Sequence, residues 1–97
     1  MKIIWHSKAN NDLNQNIGHI AKNSAQNAIV VLDEIINLVN SLSKFPYKYP
    51  KEPICNTENN RFATKWTFKI VYKVELETIY ILRIFNTNQD PNKIINT

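Results

Sequence analysis

Among its 97 residues the chain has one cysteine, Cys55, so no internal disulfide can form. The thiol reads as an ordinary loop side chain in a reducing compartment. No second cysteine and no paired histidines stand at ligand spacing, which leaves a zinc site without support, and no cofactor is expected. Long apolar runs are missing as well. The longest, residues 28–32 and 79–82, fall far short of the roughly 20 residues that a membrane-spanning helix needs. The opening Met1-Lys2-Ile3-Ile4-Trp5-His6 starts basic but lacks a sustained apolar stretch and a small-residue cleavage site. No signal peptide is read from it, and a cytoplasmic location with no membrane partner is expected. Acidic residues are the scarcer charge, 8 against 12 Lys and Arg, for a net charge of +4 and a pI near 9.3.

What is present fits one domain spanning residues 1–97, too short for a second core. Apolar residues make up 43% of the chain, an ordinary share for a globular protein that argues against intrinsic disorder. The positive charge is unevenly placed. Lys44, Lys48, Lys51, Arg61, Lys65, Lys69, Lys73 and Arg83 follow residue 43, whereas Asp12, Asp33 and Glu34 precede it. Such a distribution favours an anionic partner: nucleic acid, a ribosome or an acidic protein.

Periodicity divides the chain. Residues 2–5, Lys-Ile-Ile-Trp, read as a first strand. Ser7 offers an N-cap, and Ala9, Leu13, Ile17, Ile20 and Ala21 then form one helical stripe through Gly18, the sole glycine. Ser24 is a second N-cap candidate. Beyond it Ala28, Val31, Leu32, Ile35, Leu38, Val39 and Leu42 predict a second helix ending near Ser43, stopped by Phe45-Pro46. Pro46, Pro50 and Pro53 with Asn56, Asn59 and Asn60 then mark an extended crossover, in which Tyr47 and Tyr49 either pack underneath or line an exposed face.

From Arg61 the period changes to two. Residues 61–63 suggest a short strand, and residues 66–75 and 79–85 a hairpin through Glu75-Leu76-Glu77-Thr78. The polar tail from Asn86 is expected to leave the sheet. The order β-α-α-β-β-β predicts a two-layer α+β domain, its helical hairpin packed on one face of an antiparallel sheet that the first strand joins. A two-residue turn would set Lys69 and Lys73 on the other face beside Val71, Tyr80, Leu82 and Ile84. The same pairing sets Arg83 with Ile70 and Phe85 near a sheet edge, its stem packed and its head in water.

These segments resemble the RelE/ParE superfamily of toxins from bacterial type II toxin–antitoxin pairs. The resemblance rests on Ser7-Lys8-Ala9-Asn10-Asn11-Asp12-Leu13 after the first strand and on Leu42-Ser43-Lys44-Phe45-Pro46 closing the second helix. It continues through Phe68-Lys69-Ile70-Val71-Tyr72-Lys73-Val74, residues 79–85, and the ParE-like Gln89-Asp90-Pro91. It covers nearly the whole chain, and the order of the motifs is more specific than any one of them.

The resemblance implies one of two activities. RelE-like members enter the ribosomal decoding site and cleave mRNA through its own 2′-OH, which takes a base, an acid and cations for the phosphorane charge. Lys69 matches the family's basic strand position, with Arg61 and Lys65 as further cations; these are the catalytic candidates on that reading. Against it, Asn86-Thr87-Asn88-Gln89 has no arginine, the tail has neither Tyr nor His, and His6 and His19 lie early in the chain. Glu58 would be a base only by a fortunate fold. ParE-like members poison DNA gyrase and need no such constellation, so a ParE-like binding toxin is the preferred expectation. Lys69, Lys73, Tyr80 and Arg83 are then the candidate surface for target or antitoxin. An antitoxin-binding remnant without toxicity is a third reading. All three imply an acidic antitoxin in a heteromeric complex, and the two toxic readings add gyrase, or the ribosome and its mRNA, as target.

Overall fold

The structure is a computed structural model that describes residues 1–51 and 59–87. Its elements run β1 (Lys2–Trp5), α1 (Ser7–Asn23), α2 (Ala25–Ser41), β2 (Asn60–Lys65), β3 (Phe68–Glu75) and β4 (Thr78–Asn86). This is the α+β order that the periodicity predicts. Cys55, Glu58, Gln89, Asp90 and Pro91, together with Pro53, Asn56 and the tail beyond Thr87, lie outside the described residues.

Both helices are set by their caps and stripes. The cap of α1 is His6 and not Ser7: the extended backbone of His6 lets its Nδ1 accept the Lys8 N–H at 3.2 Å, and Ser7 becomes the first helical residue. Gly18 does not interrupt the helix, and nothing lies within 4 Å of the place its Cβ would take. Ser24 closes α1 and opens α2, its hydroxyl accepting the Asn27 N–H at 3.1 Å. One residue therefore makes the break that folds the two helices into a hairpin. From α1, Ala9 and Leu13 are buried; from α2 and its C-cap, Ala28, Ile35, Val39 and Leu42. Ala21, expected in the stripe, is exposed.

The sheet order is β1-β4-β3-β2. β1 runs parallel to β4 and the other pairs are antiparallel, so the sheet is mixed. Leu76 and Glu77 connect β3 to β4 with φ of 51° and 61°, as a type I′ turn requires, although neither is Gly or Asn. Under the helices lie Ala63, Phe68, Ile70, Tyr72, Val74, Ile79, Ile81 and Ile84. Tyr72 is fully buried, and its hydroxyl donates to the Pro46 carbonyl at 2.7 Å, which satisfies the one polar atom of a large core ring.

One irregularity decides which residues face outward. Tyr72 pairs with Ile81 but Val71 pairs with Arg83, so Leu82 has no partner and β4 carries a bulge. The extra residue reverses the alternation after Ile81. Ile84, expected beside Lys69 and Lys73, joins the core instead. Arg83 and Phe85 move to the face opposite the helices, and Arg83 does not share a face with Ile70.

Candidate functional site

The sheet face away from the helices can be assembled row by row from the register. Thr64, Lys69 and Phe85 form one row; Phe62, Val71 and Arg83 the next; Asn60, Lys73, Tyr80 and Ile4 the third. The four residues expected to form a binding surface, Lys69, Lys73, Tyr80 and Arg83, thus share this face. Cations alternate with apolar groups across it. Val71 and Phe85 are buried here, outside the cluster beneath the helices. Lys69 Nζ lies 4.7 Å from the Phe62 ring centroid, and the Arg83 guanidinium 4.9 Å from that of Phe85. These are cation–π contacts that hold charge over an apolar floor.

The three residues considered for RNA cleavage are divided. Arg61 pairs with Tyr72 and Lys65 with Phe68, which places both on the helix side, while Lys69 stands on the opposite face. Arg61 donates through Nη1 to the Tyr49 carbonyl at 2.8 Å and the Tyr47 carbonyl at 3.4 Å, and its guanidinium covers the Tyr47 ring at 4.9 Å. Lys65 pairs with Glu34 of α2 at 3.6 Å and lies 5.0 Å from the Trp66 ring. Arg61 is a clamp on the crossover, and Lys65 a tie between β2 and α2.

A proton-transfer group is equally hard to assemble from the described residues. His6 caps α1, and His19 is exposed on that helix; neither is on the sheet face. Burial pushes the Tyr72 hydroxyl up to about 12, partly offset by the nearby Arg61 charge and reinforced by Tyr49. Tyr72 is therefore neutral at physiological pH and faces the core. Lys73 donates to Glu75 at 2.6 Å, and that hydrogen bond with the carboxylate's charge raises its pKa, fixing it as a cation.

Asp12 is the residue whose part the sequence did not disclose. β1 covers the edge of β4 only from Thr78 to Ile81. Beyond that point α1 supplies the partner: Asp12 Oδ2 accepts the Ile84 N–H at 2.9 Å and Arg83 Nε–H at 2.7 Å, and Oδ1 accepts Arg83 Nη2–H at 3.0 Å. A forked carboxylate–guanidinium pair of this kind fixes orientation as well as adding energy. Arg83 was expected to reach water; instead it is locked to α1, with 24% of its side chain exposed. Asp12 directly precedes the core residue Leu13 and closes the motif of residues 7–13 that carries the family resemblance, but neither fact names Arg83 as its partner.

The family model described as ParE toxin of the type II toxin–antitoxin system, parDE, matches residues 3–91. The chain belongs to the ParE toxin family. The matched span contains every described element from Ile3 onward, so the coarse function, a toxin of a type II toxin–antitoxin system, comes with membership. The fold is also that of a solved structure described as the chromosomal ParDE toxin–antitoxin system from P. aeruginosa. The two align with a TM-score of 0.74 and 25% identity, covering 89% of this chain and 95% of that one. No curated protein matches. Within this ParE-family toxin, α1 and the bulged strand β4 together set the charge pattern of the open sheet face.

Proposed function

We propose that this ParE-family toxin arrests growth by binding DNA gyrase through a docking surface, and that an acidic antitoxin neutralises it. The observation that carries the reading is the division of the cations: Lys69 lies on one side of the sheet, Arg61 and Lys65 on the other. In-line attack of a 2′-OH on phosphate needs its base, acid and charge-stabilising groups around one phosphorus. Docking needs only complementary charge and apolar contact, which the face around Val71 offers.

The same face suits an acidic partner. Half-buried Ile4, Phe62 and Tyr80 stand among Lys69 and Lys73 on that face, so a segment alternating carboxylates with apolar side chains would meet both kinds of group. A free antitoxin segment of that composition would be disordered and would order on binding.

The direct test adds purified toxin to gyrase and relaxed plasmid, with and without ATP. The expected results are lost supercoiling and accumulation of cleaved plasmid, with Lys69→Ala retaining most of the effect. Codon-phased mRNA cuts in a translating extract, abolished by Lys69→Ala, would instead establish the ribosome-dependent nuclease. Absence of growth arrest on induction would leave an antitoxin-binding remnant.

A further inference from the structure

The crossover after α2 is held against β2 by contacts that leave its aromatic rings outside. Tyr72 Oη donates to the Pro46 carbonyl, Arg61 to the Tyr49 and Tyr47 carbonyls, and the Phe62 N–H to the Pro50 carbonyl at 3.1 Å. Tyr49 packs against the core, but Phe45 is 60% exposed and Tyr47 53%. Residues 44–51, Lys-Phe-Pro-Tyr-Lys-Tyr-Pro-Lys, hold three lysines and no carboxylate. Lys44 and Lys48 are exposed and flank Phe45 and Tyr47 in sequence, with Lys48 Nζ 5.4 Å from the Tyr49 ring centroid. The Arg61 guanidinium lies 4.9 Å from the Tyr47 ring centroid, and Tyr47 still keeps about half of its surface exposed.

Neither the rings nor the charges serve the open sheet face, because the loop is tied to β2 from the helix side through Arg61 and Tyr72. We propose that Phe45 and Tyr47, with Lys44 and Lys48, form a second binding surface, one that takes an unpaired DNA strand. Flat, exposed rings offer stacking to bases, whose faces are accessible only when unpaired, and lysines beside them meet the phosphates. Anchoring the backbone at Pro46, Tyr47, Tyr49 and Pro50 reduces the ordering cost when a strand binds. An extended peptide fits the place less well. It would seek the free edge of β2, but Pro50 already accepts the Phe62 N–H there, and Lys51 bridges Arg61. The choice of DNA over RNA rests on the gyrase reading, since an enzyme that breaks and rejoins DNA presents distorted strands.

The test is fluorescence anisotropy of the full chain with a labelled oligothymidylate, its duplex and the matching RNA, across a salt series and without gyrase. Phe45→Ala and Tyr47→Ala should each weaken single-strand binding on the order of tenfold, while Phe45→Tyr and Tyr47→Phe keep it. Lys44→Gln with Lys48→Gln should reduce the log–log salt slope by about 1.4, and this pair leaves apolar packing untouched should a ring variant fold poorly. Ile29→Ala, at a residue 60% exposed on α2, should change nothing. Equal affinity for the duplex, binding of the RNA alone, equal competition by polyglutamate, or no loss on ring removal would overturn the proposal. Gyrase inhibition that survives without strand binding contradicts only this proposal; strand binding without any effect on gyrase contradicts only the gyrase reading.

Discussion

At the scale of single residues, Asp12 and Tyr72 have the most to lose. Asp12 accepts hydrogen bonds from two groups of Arg83 and from the Ile84 backbone. Asp12→Ala would strand a largely enclosed guanidinium and a strand N–H, at a cost of about 2–4 kcal/mol in denaturant unfolding. Arg83→Met in the same background should recover part of that loss, because the unpaired charge goes with it, and a double-mutant cycle would measure the coupling. Tyr72 titrates in the alkaline range. Its folded pKa of about 12 exceeds the ordinary value of 10.0, so the folded state holds the proton longer. That contribution is fully present below about pH 10 and is lost as pH rises through about 12, amounting to roughly 3 kcal/mol. Tyr72→Phe should flatten this alkaline decline while costing about 1 kcal/mol at neutral pH, where the Pro46 carbonyl loses its donor. Circular dichroism melts from pH 8 to 12 would show both effects.

At the scale of elements, what was legible depended on how much of each signal lies in residue type. β1 was readable in full from its branched and aromatic residues, and Ser24 from its place between two stripes. The cap of α1 was assigned one residue late, since a histidine competes poorly with serine on propensity alone, yet backbone geometry put the acceptor at His6. The bulge was not readable. Leu82 is an ordinary strand residue, and only the pairing of β3 with β4 shows that it has no partner. That single slip exchanged Ile84 with Arg83 and Phe85, so Lys69, Val71, Lys73 and Tyr80 take the side of the sheet that their parity predicts and Ile84 does not. The parting of Arg61 and Lys65 from Lys69 follows from strand parity, but it becomes visible only once β2 is known to run from Asn60 to Lys65. Two changes test the elements themselves. Gly18→Ala, with open space around the new methyl, should raise stability by about 0.5–1 kcal/mol and Tm by roughly 2–8 °C. Replacing Leu76-Glu77 by Asn-Gly should add about 1–2 kcal/mol, because both positions are left-handed and Leu76 is 91% exposed, with little packing to lose.

At the scale of the whole molecule, the helical hairpin buries one side of the sheet and leaves the other as a mixed cationic and apolar face. The helices also reach round to that face, because Asp12 of α1 fixes Arg83 on β4. A toxin that acts by docking, as proposed, would need a stable platform more than a set of reactive groups, and the cations among the described residues fit that requirement. Lys69 is a surface cation over Phe62, Lys73 is paired with Glu75, and Arg61 and Lys65 are committed to holding the crossover and α2. The proposal attributes growth arrest to docking on gyrase and not to cutting mRNA. Pulse-labelling with thymidine and amino-acid precursors, in the first minutes after tightly controlled induction, tests it most directly. DNA synthesis should fall first while protein synthesis continues, and Lys69→Ala should change that order little. Early loss of protein synthesis with DNA synthesis intact would contradict the account and return Lys69 to the centre of a ribosomal mechanism.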